Sequence, residues 1–411
     1  MTDLAGTTRA CIYCKQARPF TDEHLFPKGL GGDDRRFMLK NLVCGYCNTT
    51  VFSKLEASFM RASPVALARI FMQKVKGSGR DAIVPRLDTV STTAFIPGQG
   101  EVEAEMQAEG TATTLLQILF LGDGKCSLTG SDESHIPKFV GALRLVLDHT
   151  VILVRKVTTA SNPSFIVTSY LRQSNRYIVG GSRTVPRPPD VCIWHEQFPT
   201  IGQEQRIQRH PTLFRRTAGQ LVLRTHLNSD VCALLSEARA ALDTFDDEQH
   251  IASTTVENPS MLFSMSMDTD AFGRVLTKIG LNLVAHLFGE GYMRDSAFDT
   301  AKAAVLGTMT DGAMYESVDE TDSLRNSLNG IPQDRHAMML VAVPASQSTC
   351  NVAMVIQFYG SSTYAVHLGT NAPPPPVPMP EFLVIDYNSH RIEQLHALEF
   401  IQKYPPQYLV Q

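Results

Sequence analysis

Two cysteine pairs near the start of the chain constrain its fold more than any other feature. Cys11 and Cys14 form one C-x-x-C pair, Cys44 and Cys47 form the second, and the 29 residues from Lys15 to Val43 separate them. Four thiolates brought together are the ligand set that a tetrahedral structural zinc ion prefers. A segment this short has little core, and metal binding can supply the missing folding free energy. We therefore expect these cysteines to bind structural Zn²⁺; a redox-active pair is the alternative.

Composition limits the class of protein. The chain has 411 residues, of which 43% are hydrophobic and 19% charged, which is typical of a globular protein with two or three domains. The net charge of −4 excludes a uniformly basic nucleic-acid-binding chain, so any DNA contact must come from a local patch. Met1–Ala10 lacks the pattern of a secretion signal, and no apolar run reaches the roughly 20 residues that span a bilayer. These features predict a cytoplasmic protein without membrane contact.

The segment between the cysteine pairs combines residues suited to metal and phosphate chemistry. Glu23 and His24 are adjacent, Asn41 precedes the second cysteine pair, and Asn48 follows it. The order C-x-x-C, E-H-x-x-P-x-x-L-G-G, N-L-x-C-x-x-C-N resembles a subgroup of the HNH endonucleases, and the similarity covers about residues 11–56. The resemblance implies a ββα-metal fold, in which a β-hairpin carries Glu23 and His24 and a helix starting near Cys47 presents Asn48.

The same resemblance implies a catalytic role for each motif residue. Glu23 would be a ligand of a catalytic Mg²⁺ or Mn²⁺ ion, and Asn48 would complete the protein ligands. His24 would be the general base that deprotonates the attacking water. Asn41 would fix the loop of the hairpin through backbone hydrogen bonds and so keep His24 oriented. Phe52 stands where some members carry a further metal-binding histidine, and Glu56, two turns after Asn48, is either a substitute ligand or a solvated helix residue.

Basic residues cluster in and beside this motif. The expected DNA-binding residues are Lys28, Arg35, Arg36, Lys40 and Lys54. Such a patch typically contacts phosphates without reading sequence. Gly29, Gly31 and Gly32 would let the backbone approach a phosphate closely.

The remainder of the chain predicts mixed secondary structure without a legible active site. Runs of β-branched and aromatic residues predict strands at Leu115–Leu121, Val151–Val157, Phe165–Leu171, Gln220–Leu223, Met338–Val343, Val352–Phe358, Tyr364–Leu368 and Phe382–Asp386. Helices are expected near 64–75, 137–147, 229–243, 270–288 and 296–306, with a linker at 76–80 and a loop at 311–334. Trp194-His195-Glu196 is a candidate for stacking a base or ligand, and Asp148-His149 repeats the acid–histidine pair without the accompanying motif.

The predicted fold class is therefore α+β, with a small N-terminal zinc-stabilised ββα-metal module followed by a large mixed α/β C-terminal region. Residues 1–62 would be the nuclease domain, 63–80 a helical connector, and 81–411 a regulatory, sensing or oligomerising region of one or two subdomains.

The expected function is a metal-dependent endonuclease that hydrolyses DNA with little sequence preference. By resemblance it would be a bacterial anti-phage defence effector, working as a homo-oligomer or within a complex. Two alternatives stay open. One is a zinc-knuckle protein that binds nucleic acid without catalysis. The other is a sensor-nuclease gated by a cyclic oligonucleotide or an Argonaute partner.

Overall fold

The chain divides into two compact units in the computed structural model. The structure describes residues 9–32, 35–74, 84–89, 91–106, 110–158, 163–198, 209–244, 260–309, 315–319 and 322–406. Unit 1 comprises Met1–Asp88, Ala108–Gly110 and Met265–Gln411, and unit 2 comprises Thr89–Gln107 and Thr111–Ser264. The predicted linker at 76–80 lies outside the described residues. Helices and strands are both abundant, so the α+β fold class is confirmed.

The elements are numbered in chain order. The strands are β1 (Phe20–His24), β2 (Met38–Cys44), β3 (Ser91–Ile96), β4 (Gly100–Met106), β5 (Ala112–Thr114), β6 (Leu116–Gly122), β7 (Lys125–Thr129), β8 (Val151–Thr158), β9 (Pro163–Gln173), β10 (Arg176–Val185), β11 (Ile193–Gln197), β12 (Thr212–Arg215), β13 (Leu221–Thr225), β14 (Met261–Ser264), β15 (Tyr315–Ser317), β16 (Arg335–Pro344), β17 (Cys350–Phe358), β18 (Ser362–Ala372), β19 (Glu381–Asp386) and β20 (Arg391–His396). The helices are α1 (Ser53–Phe59), α2 (Pro64–Met72), α3 (Ile136–Leu147), α4 (Val231–Thr244), α5 (Thr269–Met293), α6 (Asp299–Leu306), α7 (Ser323–Asn326) and α8 (Ala397–Lys403).

Unit 1 joins the N-terminal hairpin to elements from the other end of the chain. Strands β1 and β2 pair antiparallel, and a π-helical run, Tyr46–Phe52, leads into α1. A six-stranded antiparallel sheet has the order β15-β18-β17-β16-β19-β20. Helix α5 is buried on nearly all sides of its first five turns and shares one apolar core with the hairpin and the sheet. A helix buried on nearly all sides is typical of the centre of a domain.

Unit 2 contains two sheets. The larger has eight strands in the order β10-β9-β8-β11-β13-β12-β6-β7, in which β8, β11 and β13 run parallel and the other pairs antiparallel. Helices α3 and α4 contribute to the apolar core on one face of this sheet. The smaller sheet has the order β14-β3-β4-β5. Among the described residues of both units, no helix combines the length and apolar character that crossing a bilayer requires.

Most of the predicted elements are present, with shifted ends. All eight predicted strands occur, and Ser63 caps α2 by accepting a hydrogen bond from the Ala66 amide 3.1 Å away. Gly289 ends the main run of α5, because its φ of 83° is non-helical. Phe71 of α2 is 50% exposed, because Val65, Ala66, Arg69 and Ile70 form the buried face of this helix. One expectation was wrong. The predicted loop at 311–334 contains β15 and α7 among its described residues.

The compact units cut across the three segments expected from the sequence. Residues 1–62 and α2 belong to the same unit as α5 and the six-stranded sheet. The physical reason is apolar surface, since Val43, Phe52 and Phe59 of the N-terminal segment are buried in the core that includes α5. The assignment of separate functions to 1–62, 63–80 and 81–411 stays a prediction.

Candidate functional site

The four N-terminal cysteines converge on one point. Cys11 and Cys14 lie in the loop before β1, Cys44 ends β2, and Cys47 lies in the first turn of the following helix. Their sulfur atoms all lie within 4.8 Å of one another, with 3.9 Å between Cys11 and Cys47 and 3.7 Å between Cys14 and Cys44. Zinc–sulfur bonds of about 2.3 Å give a tetrahedron with edges of about 3.8 Å, whereas a disulfide needs about 2.05 Å. The cluster therefore can hold a metal ion.

Protons are unequally shared within this cluster. The contact between the sulfur atoms of Cys11 and Cys47, with help from backbone amides, lowers the pKa of Cys11 to about 4 despite its burial. The same contact raises the pKa of Cys47, and burial raises that of Cys14. The cluster thus already stabilises one thiolate, and a bound cation would replace the remaining protons.

A bulge in the hairpin sets the position of the acid–histidine pair. Thr21 pairs with Val43, but Glu23 pairs with Leu39, so β2 uses four steps where β1 uses two. Asn41 lies in the extra length, with a φ of 59° and an exposed side chain. Asparagine tolerates this left-handed conformation better than most residues. The structure therefore gives Asn41 a backbone role in the bulge.

Glu23 is buried in a cluster of polar groups contributed by α5. Its side chain is 4% exposed, Lys278 forms an ion pair with Oε1, and the Asn282 amide donates to the same oxygen at 3.2 Å. Asn282 also donates to the His24 carbonyl at 2.9 Å and accepts from the Tyr13 hydroxyl at 2.6 Å. Burial raises the pKa of Glu23, and Lys278 opposes that shift only in part. No local sequence motif could predict this cluster, because its two halves lie more than 250 residues apart in the chain.

Glu56 belongs to the same cluster. The Lys278 ammonium donates to its Oε1 at 2.6 Å, and the lysine side chain is 1% exposed. The two carboxylates raise the pKa of Lys278 and outweigh the effect of its burial, so the lysine is charged. Lys278 therefore bridges the acidic residue of the hairpin and the acidic residue of α1.

Asn48 connects the helix to the strand that carries the motif. Its side-chain amide donates to the Asp22 carbonyl at 2.8 Å and to Thr21 Oγ1 at 3.2 Å. These contacts use the two N–H groups and leave the amide oxygen as the atom suited to a cation. His24 follows Glu23 on β1 and is half-buried, and strand alternation directs the two side chains to opposite faces.

The predicted basic residues are only partly brought together. Arg35 and Arg36 line a cleft of about 760 Å³ with three cations that sequence reasoning missed, namely Arg335, Arg391 and Lys403. Asp386 and Glu393 are the carboxylates of this cleft. Lys28, Lys40 and Lys54 are exposed and do not line it.

The motif glycines serve packing and not phosphate approach. Gly31 and Gly32 are buried, and a Cβ at Gly32 would lie 2.1 Å from the Phe26 carbonyl oxygen. A Cβ at Gly31 would lie 2.6 Å from the Tyr387 Cα, and its φ is 101°. The expectation that these two glycines admit a phosphate was therefore wrong, because they admit other parts of unit 1.

Comparison of the chain with protein-family models, curated proteins and solved structures found no match.

Proposed function

We propose that this protein is a zinc-stabilised, HNH-type endonuclease that hydrolyses DNA with the help of a divalent metal ion. The observation that carries the proposal is the pair of hydrogen bonds from Asn48 to Thr21 and Asp22. They hold Asn48, the last motif residue, against the strand segment that immediately precedes Glu23 and His24. The contact of Asn48 with the strand that carries Glu23 and His24 supports the proposal, because the resemblance implies a hairpin followed by a helix.

Each motif residue has a defined task in the proposal. His24 accepts a proton from the attacking water as the general base. Glu23 Oε2 and the Asn48 amide oxygen are hard donors that would hold Mg²⁺ or Mn²⁺. A bound ion would neutralise the negative charge that develops on the phosphate and on the leaving oxygen. Asn41 maintains the hairpin bulge beside Glu23 and His24.

Lys278 and Asn282 are positioning residues in this scheme. Both engage Oε1 of Glu23, and this fixes the carboxylate in one orientation. Asn282 also holds the His24 carbonyl and so fixes the strand at the general base. Partners of this kind orient metal ligands and tune their affinity.

The basic cleft supports DNA as the substrate. Five cations and two carboxylates line it, and Arg35 and Arg36 belong to the loop between β1 and β2. Contacts from such a surface go to phosphates, which agrees with cleavage of little sequence preference. A cytoplasmic location, where thiols stay reduced, suits a zinc–thiolate cluster.

Cleavage of supercoiled plasmid in Mg²⁺ or Mn²⁺ tests the proposal. We expect the wild-type protein to nick or linearise DNA and His24→Ala to lose about 10²- to 10⁴-fold in rate, the usual contribution of a general base. The variant should retain its zinc, measured by metal analysis. His149→Ala is the matched control, because His149 also follows an acidic residue but is exposed and lies outside the motif. Equal rates for His24→Ala and the wild type would refute the proposal.

A second candidate is a zinc module that binds nucleic acid without cutting it. The observation that favours it is the burial of Glu23 against Lys278, since an ammonium group beside a carboxylate weakens its attraction for a second cation. The same assay distinguishes the two functions. Plasmid that is bound in a gel-shift experiment but left intact in both metals would establish the non-catalytic alternative.

A further inference from the structure

A second polar cleft lies on the eight-stranded sheet of unit 2. Its volume is about 570 Å³, within the range of small-molecule sites. The register pairs Trp194 with Val222 and Glu196 with Arg224, so Trp194, Glu196 and Arg224 project from the same face of the sheet. The Trp194-His195-Glu196 segment, a candidate from the sequence for binding a base or ligand, therefore lines a cleft of the folded protein.

The cleft carries an excess of positive charge. Arg155, Lys156, Arg216 and Arg224 line it, and Glu196 is its carboxylate. Glu196 accepts from Arg216 and from Arg224, at 2.7 Å each, and Arg224 is also paired with buried Glu103. These bonds hold the two arginines in place. Lys156 on β8 is exposed, and it projects from the same face as Trp194 because Val154, two residues earlier, pairs with Trp194. The lining can therefore accept a ligand with more than one negative charge.

One aromatic ring faces this charge. Trp194 is half-buried in the lining, and Phe165 packs against it edge-on, with the ring centroids 5.9 Å apart. The contact fixes the indole in one orientation, which removes part of the entropy cost of stacking a planar ligand. Gln197 and Gln220 add amide groups that can hydrogen-bond to the edge of such a ligand.

We propose that this cleft binds a phosphorylated nucleotide, with its base on Trp194 and its phosphates on Lys156 and Arg216. Stacking on one aromatic ring beside several cations is how proteins commonly retain bases together with phosphates. A free nucleotide and the phosphorylated end of a nucleic-acid strand share this chemistry. The inference does not depend on the proposed nuclease activity, because the residues of this cleft belong to unit 2.

Intrinsic fluorescence gives a direct test, because Trp194 is the single tryptophan of the chain. The full-length protein is titrated with ATP, GTP, CTP and UTP, with adenosine, with inorganic tripolyphosphate, and with a 5′-phosphorylated single-stranded oligonucleotide. We expect a saturable change with at least one nucleotide or with the oligonucleotide. Comparing the nucleotide with the oligonucleotide identifies the source of the ligand. Adenosine and tripolyphosphate should bind at least about tenfold more weakly, because each lacks one half of the recognition.

Variants separate the cleft from nonspecific binding. Lys156→Ala with Arg216→Ala should weaken binding at least about tenfold, and Trp194→Leu, followed by calorimetry, roughly 5- to 150-fold. Arg183→Ala is the control, because Arg183 is exposed on β10 of the same sheet but does not line the cleft. The proposal is overturned if none of these probes binds, if tripolyphosphate binds as tightly as the nucleotide, or if the Trp194 variant binds unchanged.

Discussion

At the scale of single residues, Lys278 is the most consequential side chain of unit 1. It is buried on α5 and contacts a carboxylate from the hairpin and another from α1. The Lys278 ammonium also lies 5.5 Å from the centre of the Phe52 ring. A buried cation of this kind stabilises a fold only while its partners remain, because an unpaired buried charge carries the full cost of desolvation.

Replacing Lys278 should therefore destabilise the protein strongly. We expect Lys278→Met to lower the free energy of unfolding by about 3–5 kcal/mol, the usual cost of leaving a buried partner unpaired. The loss should grow as pH rises. Burial raises the pKa of Glu23 and the lysine no longer opposes it, so the folded state holds a proton that it must give up at higher pH. Urea unfolding at several pH values measures both effects.

The double variant Glu23→Gln with Lys278→Met provides the control. Glutamine keeps the shape of the side chain and removes its charge, so it should recover part of the lost stability and flatten the pH dependence. A single variant as stable as the wild type at every pH would show that the buried ion pair contributes nothing to the fold.

These residues also mark the limit of what the sequence could predict about the site. The cysteine cluster could be predicted because the spacing of its pairs is local. The roles of Glu23, His24 and Asn48 stay predictions that rest on the motif resemblance. Lys278 and Asn282 lie on a helix whose periodic apolar residues predicted one buried face. The polar residues between these apolar positions predicted exposed faces, but those faces of the helix are buried too.

At the scale of elements, the turn after β1 contains a position, Gly31, at which packing requires a glycine. Gly31 ends a short 3₁₀ turn, Lys28–Leu30, with a φ of 101°. A Cβ there would meet the backbone of Tyr387, which cannot move aside as the end of a flexible side chain can. The position therefore requires glycine for two reasons, its backbone conformation and the neighbouring chain.

Gly31→Ala separates those reasons when it is compared with Gly98→Ala. Gly98 has a φ of 83°, but a Cβ added there meets nothing within 4 Å. We expect Gly98→Ala to cost about 1–2 kcal/mol, the strain of a left-handed alanine. Gly31→Ala should cost more than about 2 kcal/mol, because the clash adds to the same strain. Thermal and urea unfolding measure the difference, and equal costs would contradict the packing explanation.

Some of the elements could be predicted, whereas their pairing could not. Alternation and helical periodicity are local properties, and they located four strands in each of the two larger sheets and the main helices. Strand β16 pairs with β17 and β19, and β11 pairs in parallel with β8 and β13. Choices of this kind depend on the whole core. Short β15 and α7 were missed because polar segments carry little periodic signal.

At the scale of the whole molecule, the N-terminal segment depends on residues made much later. Phe59 stacks on Phe272 with the ring centroids 5.0 Å apart, and the Tyr13 hydroxyl bonds to Asn282. We expect a fragment of residues 1–88 supplied with zinc to show no cooperative thermal unfolding, because its apolar face has lost α5. Circular dichroism and amide NMR dispersion check this against the full chain. A fragment that melts cooperatively would show that zinc alone completes the module.

The discontinuity of unit 1 has a consequence for the timing of synthesis. Residues 1–88 leave the ribosome before the chain from Thr89 to Ser264, and their packing partners follow only after Met265. At about 5–20 residues per second, this interval lasts roughly 10–35 s. During that time the segment that carries Glu23 and His24 lacks Lys278 and Asn282. A nascent chain would therefore acquire the complete hairpin cluster only after helix α5 has been synthesised.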